Sequence, residues 1–257
     1  MDLASSGIVV PRCCDAGQCW RQSGNPDDAI VANDGNAFGN ITAMPIAIFD
    51  LDGTITHHDT LFPLVLRQLS RRPWQMWRLA AVLPAVIRFC FDRDRASLKQ
   101  SLLRATLRGI SRAELESTSR DFVRDTLARR CFADALTAVR RHRDRGHFMV
   151  LMSASVDFYV PEFGRQLGFD HVICTGVAWN GDRLDGTLTT ANRRGEEKAR
   201  CLRELVAARG DTETFAYGNS ASDLPHLEIA RHGLLVNGSA SARRAAQALG
   251  VATAEWH

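Results

Sequence analysis

The sequence predicts an α/β protein, a Rossmann-like parallel-sheet core with a helical cap inserted after its first strand. Three observations lead there. The apolar runs Ile46-Ala47-Ile48-Phe49, Val150-Leu151-Met152 and Phe215-Ala216-Tyr217 each stop at small or polar residues, as buried strands do where they meet a loop. Helical patterns alternate with the later runs, the arrangement that builds a parallel sheet. Between the first two runs, Asp59 to about Arg130 is almost wholly helical in pattern, too long for a simple crossover.

In chain order, residues 1–43 are rich in Gly, Asn, Asp and Ser without apolar periodicity and read as a disordered extension. Pro45 to about Thr56 supplies the first strand and its loop. Breaks at Pro73, at 92–94 and at Gly109-Ile110-Ser111 divide the insert into four helices, the last opened by the capping box Ser111-Arg112-Ala113-Glu114. A helix from about Phe132, a strand ending at Ser153 and a helix through Val156 to Leu167 follow. Val172-Ile173-Cys174 reads as a strand, and Val177 to Thr190 as a hairpin turning at Asn180-Gly181. Helix, strand, helix, strand and helix complete the chain. The expected organisation is an extension over 1–43, a core over 44–56 and 131–257, and a cap over 57–130.

A chain of 257 residues with 45% apolar content can bury an α/β core and a smaller module. Its net charge of +3 is too small to imply a nucleic-acid partner. The charge is uneven: residues 1–43 hold five Asp and two Arg, a net −3, which leaves +6 for the rest. The Arg140-Arg141-His142-Arg143-Asp144-Arg145 run reads as a solvated helix end. Seven cysteines fall without a paired framework; Cys90, Cys131, Cys174 and Cys201 read as reduced apolar side chains, and Cys13, Cys14 and Cys19 lack partners for a zinc site. The N-terminus has neither a basic n-region nor a continuous apolar segment, so a cytoplasmic location is expected.

The chemistry is carried by Asp50-Leu51-Asp52-Gly53-Thr54 at the end of the first strand. Side chains two apart in an extended chain share a side, so Asp50 and Asp52 can face one pocket. Two such anions repel unless a cation lies between them. Ser153, Lys198 and Asp223 likewise fall where a strand ends or a helix begins, and in parallel sheets such positions converge on one crevice.

These motifs resemble those of the haloacid dehalogenase-like superfamily of aspartate-nucleophile phosphatases, from about Pro45 to the C-terminus. Asp50-Leu51-Asp52-Gly53-Thr54 is similar to motif one, Ser153 to the end of motif two, Lys198 to motif three, and Gly218-Asn219-Ser220-Ala221-Ser222-Asp223 to motif four. The helical insert is similar to the cap of the phosphoserine phosphatase-like branch. Arg71-Arg72-Pro73 and Arg194-Gly195-Glu196-Glu197-Lys198 look like the bacterial group that includes a phosphatidylglycerophosphate phosphatase.

The resemblance implies a phosphomonoester hydrolase. Asp50 would be the nucleophile and Asp52 the acid and base, with Ser153, Ala154, Gly53 and Thr54 around the phosphate and Lys198 keeping Asp50 ionised. Mg²⁺ would be held by Asp50, the Asp52 main-chain carbonyl, Asn219 and Asp223, although the family commonly carries Asp where Asn219 stands. The expected substrate is a small phosphorylated metabolite or a lipid phosphate. Phosphoserine is an alternative: Asp59 would meet its amine, while its carboxylate has only Arg104 nearby. A phosphomutase would use the same acid pair, and a weakly active or non-catalytic phosphate- or lipid-binding protein would tolerate Asn219. The apolar segment Trp74 to Phe91 is too short and charged to span a membrane; it is read as a buried cap helix, with a peripheral helix at the inner membrane face as the alternative. His57 and His58 are expected to be exposed at the hinge.

Overall fold

The computed structural model describes residues 44–210 and 212–257. The expected extension over 1–43, with Cys13, Cys14 and Cys19, lies outside the described residues.

Strand β1 (Ile46–Phe49) is buried along its whole length, which explains its unbroken apolar sequence. It pairs in parallel with β2 (Phe148–Val156) on one side and β6 (Thr214–Gly218) on the other. With β3 (His171–Thr175), β7 (His232–Val236) and β8 (Ala252–Ala254) it forms a six-stranded sheet of order β3-β2-β1-β6-β7-β8. The order reverses beside β1, so the loops after β1, β2 and β6 face one crevice. The predicted sheet is present, with one addition. β8 was not anticipated, because Ala252-Thr253-Ala254 is a short edge strand with no apolar run to announce it.

Two further boundaries differ. β2 continues past Ser153 to Val156, and the following helix α6 (Val160–Leu167) starts four residues later than the periodicity suggested, with Pro161 in its first turn. The hairpin of β4 (Val177–Asn180) and β5 (Arg183–Leu188) is as expected, but its two-residue turn is Gly181-Asp182, with Gly181 at φ +59. Helices α5 (Ala133–Asp144), α7 (Glu196–Arg209), α8 (Leu224–Ile229) and α9 (Ala240–Ala248) supply the remaining crossovers.

The insert holds α1 (Leu61–Ser70), a 3₁₀ stretch Pro73–Val82, α2 (Leu83–Asp92), α3 (Arg95–Thr106) and α4 (Arg112–Arg129). Asp94 caps α3 by accepting from Ala96 N and Ser97 N, and Ser111 caps α4 by accepting from Glu114 N. The segment read as one helix over 74–91 is broken at Pro84, which sits in the first turn of α2, where a missing N–H costs nothing. The expectation that this segment is buried is overturned. Only Val82 of the 3₁₀ stretch is buried, and no residue of α2 is. Cys90, expected inside, is exposed. An apolar pattern all round a helix shows what it can bury, not what is there to bury it. Among the described residues, no helix is long and apolar enough to cross a membrane.

Candidate active site

The loop after β1 is pinned at both ends. Asp50 N donates to Tyr217 O of β6 at 3.0 Å, and the N–H groups of Thr54, Ile55 and Thr56 converge on Leu51 O. This tight turn requires Gly53 at φ +80. The same glycine admits Asn219: a Cβ at position 53 would lie 2.1 Å from Asn219 Nδ2.

Asp50 is buried and held from two sides, by Lys198 Nζ on Oδ1 at 2.6 Å and Thr54 Oγ1 on Oδ2 at 3.1 Å. Lys198, in the first turn of α7, also donates to Asp223 Oδ1 at 2.7 Å. Asp223 Oδ2 accepts from Ser220 N and Ser220 Oγ at 3.0 and 2.7 Å. Residues 148 and 25 positions apart in sequence thus form one buried carboxylate–ammonium–carboxylate bridge.

Asp52 points the other way, towards the insert. Its Oδ1 accepts from Thr60 N and Oγ1 at 2.8 and 2.6 Å, and its Oδ2 from Ser155 Oγ at 2.7 Å. Thr60 Oγ1 is in turn 2.9 Å from the buried Tyr159 hydroxyl.

Burial pushes the Asp50 carboxyl up to about 7; Lys198 pulls it down, and the neighbouring Asp223 and Asp52 charges push it back. Lys198 therefore acts on Asp50 in the expected direction, lowering its pKa against the burial that raises it. Burial also raises Asp52, helped by the Asp59 charge. For Lys198, burial opposes the charge, yet Asp223 and Asp50 outweigh it and raise the ammonium above the ordinary lysine range. Asp223 is held low, since Lys198 overcomes its burial.

A cavity of about 660 Å³ opens over these groups, lined on the core side by Asp50, Asp52, Gly53, Lys198, Asn219 and Asp223. Ala154, Asp59, His57 and His58 also reach it. Asp59 Oδ1 accepts from Leu61 N and Phe62 N at 3.1 and 3.3 Å, so it caps α1 as well as facing the cavity. Two anticipated phosphate contacts lie elsewhere. Ser153 is fully buried and away from the cavity lining; its Oγ accepts from Ser155 N at 3.0 Å and lies 3.4 Å from Asp52 Oδ2. Thr54 is equally buried and serves Asp50. Arg104 is exposed on α3 and does not line the cavity.

Ser155, Lys99, Asn192 and Arg95 were missed as cavity residues, and Arg194 was noted only within a motif. Ser155 had a signal, since it lies two residues beyond Ser153 on a strand and shares its side. Lys99 had none: α3 carries it across the cavity to donate to Ala154 O and, at 2.5 Å, to Asn192 Oδ1. Burial lowers its ammonium to about 8.

Among the described residues, no three Asp, Glu, His or Cys side chains cluster closely enough to hold a metal by themselves. The remaining donors still suit Mg²⁺, which uses one or two carboxylates and completes its shell with neutral oxygens, water and substrate phosphate. Asp50 and Asp223 share the ammonium of Lys198, Asp52 is a third carboxylate at the cavity, and Asn219 adds a neutral oxygen. That donor set is oxygen-rich.

A family model for haloacid dehalogenase-like hydrolases matches residues 47–228. The chain is 35% identical over 195 residues to Protein CicA of Caulobacter vibrioides, covering 75% of this chain and 86% of that protein. It is 27% identical over 215 residues to "Probable phosphatase Rv3661" of Mycobacterium tuberculosis, covering 81% and 74% of the two. Among solved structures, a protein of unknown function from Bordetella pertussis Tohama I superposes with a TM-score of 0.68 at 24% identity, over 82% of this chain and 98% of that one. A phospho-aspartyl intermediate analogue of phosphoserine phosphatase does so with a TM-score of 0.53 at 16% identity, over 79% and 90%. At these identities the superpositions establish the fold.

Proposed function

The chain belongs to the haloacid dehalogenase-like hydrolases, and from that premise we propose that it is a Mg²⁺-dependent phosphomonoester hydrolase acting through an aspartyl phosphate on Asp50. The observation that carries this reading is the Lys198 bridge between Asp50 and Asp223 at the floor of the cavity, with Asp52 held separately by Thr60 and Ser155.

In the first step a carboxylate oxygen of Asp50 attacks phosphorus, a P–O bond forms to Asp50, and the bond to the leaving alkoxide breaks. Asp52 gives that alkoxide its proton. Burial, with the Asp59 charge, raises its pKa, which favours the protonated form that this step needs. In the second step Asp52 takes a proton from water, the water oxygen attacks phosphorus, and the Asp50 carboxylate is released with inorganic phosphate. Lys198 donates to Asp50 throughout and offers its charge to the phosphoryl oxygens. Mg²⁺ would be held by Asp50, the Asp52 main-chain carbonyl, Asn219 and Asp223, and when bound would supply charge neutralisation and orientation of the phosphate.

The substrate is a small or lipid phosphomonoester. Opposite the catalytic groups the wall is apolar, formed by Phe62, Val82, Val86, Leu98 and Leu102, with Arg95, Lys99 and Arg194 among them. This mixture favours an anionic head joined to an apolar portion. The test is hydrolysis of a chromogenic phosphomonoester with Mg²⁺ and after chelation. Chelator-sensitive release of inorganic phosphate is expected. Phosphate retained on a sugar phosphate would make the protein a mutase, and binding without turnover would make it a non-catalytic phosphate-binding protein.

A further inference from the structure

The outer face of the insert has no partner among the described residues. Trp74 and Trp77 are 70% and 69% exposed, and Phe91 is 85% exposed. Trp74 and Trp77 are three apart in a 3₁₀ stretch, where side chains at that spacing eclipse and so share one face. Leu83, Ile87 and Phe91, four apart in α2, form a second exposed row, and α2 packs against the 3₁₀ stretch. Isolated apolar side chains are ordinary on a surface; two Trp and an apolar helical row together are not.

Two properties of this face identify its occupant. The first is charge. Residues 71–95 contain six Arg against Asp92 and Asp94, a net +4. Arg71, Arg72 and Arg88 are paired with Asp121, Glu114 and Asp92, whereas Arg78, Arg93 and Arg95 make no ion pair among the described residues. A second copy of the chain meeting this face by two-fold symmetry would set that charge against itself. An anionic lipid surface would complement it, and Trp with Arg around an apolar row is the composition of a helix lying at the headgroup level. The second property is position. Phe62 and Val86 are exposed apolar residues and also line the catalytic cavity, where Val82 joins them. The apolar face and the cavity mouth therefore share a wall.

We propose that this face docks the protein onto an anionic bilayer, with the cavity mouth at the level of the headgroups. The docking stands on the exposed face alone. Its consequence, that Asp50 receives the phosphomonoester of a lipid drawn from the bilayer, rests on the hydrolase reading above.

The test is flotation of the full chain with vesicles of phosphatidylcholine, with and without phosphatidylglycerol. Binding is expected only to the phosphatidylglycerol vesicles and should weaken steeply with added salt. Replacing both indoles (Trp74→Ser with Trp77→Ser) should reduce partitioning by about tenfold or more, as should Phe91→Ser on α2. Arg78→Gln with Arg93→Gln should reduce it without touching the apolar row. Thermal melts of the Trp74, Trp77 and Phe91 variants should match the natural protein, since each of these sites is exposed. Three results would overturn the proposal: no flotation with either vesicle, equal flotation with both, or a dimer that Trp74→Ser dissociates. None of these readouts needs turnover, so an inactive protein that floats would refute the hydrolase reading and leave the docking standing.

Discussion

Replacing Lys198 by Met keeps the length of the side chain and removes its charge from between two carboxylates. Its Nζ lies 2.6 Å from Asp50 Oδ1 and 2.7 Å from Asp223 Oδ1, and all three side chains are at most 8% exposed. Removing one partner from a buried ion pair leaves an uncompensated charge and costs about 3–5 kcal/mol. In a domain of this size each kcal/mol lowers the melting temperature by about 2–4 °C, so a fall of about 6–20 °C is expected. The deficit should depend on pH. With the ammonium gone, Asp50, already raised to about 7 by burial, rises further above its unfolded value of 3.8. A carboxyl whose folded pKa is raised binds more protons folded than unfolded, so its stabilising contribution is complete below the unfolded value and is lost as pH rises through the folded one. The variant should thus be nearer to the natural protein at about pH 5 than at about pH 8. Scanning calorimetry of both proteins with a chelator present measures this. A melting temperature within about 2 °C of the natural protein at the higher pH, less than one kcal/mol would produce, would refute the bridge as a stabilising element. An equal deficit at both pH values would refute the charge argument.

Gly53→Ala places a Cβ 2.1 Å from Asn219 Nδ2 in a backbone at φ +80, so it should cost about 1–2 kcal/mol in urea unfolding and also raise the Mg²⁺ requirement of the phosphatase; loss of stability alone would separate Asn219 from the metal. Asn219→Asp adds an anionic oxygen where the family commonly has one and should lower the half-saturating Mg²⁺ concentration; an unchanged requirement would remove position 219 from the ligand set. His142, buried with Nε2 2.8 Å from the Tyr217 hydroxyl, is lowered to about 4 by burial and by His147, so its contribution is complete above 6.5 and is lost as pH falls through 4. That contribution is worth up to about 3 kcal/mol, and a urea midpoint that does not fall from about pH 7 to about pH 4 would contradict it.

The legible parts of this molecule were those written locally in the chain. Asp50, Lys198 and Asp223 each follow an apolar run or open a helix, and the parallel sheet carries such positions to one crevice whatever lies between them. Ser153 was legible as a strand end, but the strand runs on to Val156, and Ser155, two residues further along on the same side, is the serine that reaches the cavity. Lys99 and Arg95 were invisible because helix α3 brings them in from the insert, and nothing near them in sequence records that approach. Burial of the 74–91 segment was misjudged for a related reason. Its residues are apolar, but nothing among the described residues covers most of them.

The central claim is that Asp50 carries the phosphoryl group. Rapid acid quench during turnover of a phosphomonoester, followed by reduction of the acyl phosphate with tritiated borohydride, which leaves tritium on the residue as it releases phosphate, and peptide mapping, tests it most directly. The account predicts one labelled site at Asp50 in the natural protein and none in Asp50→Asn, whose neutral carboxamide is a poor nucleophile. Label on any other residue, or full turnover by Asp50→Asn, would contradict it.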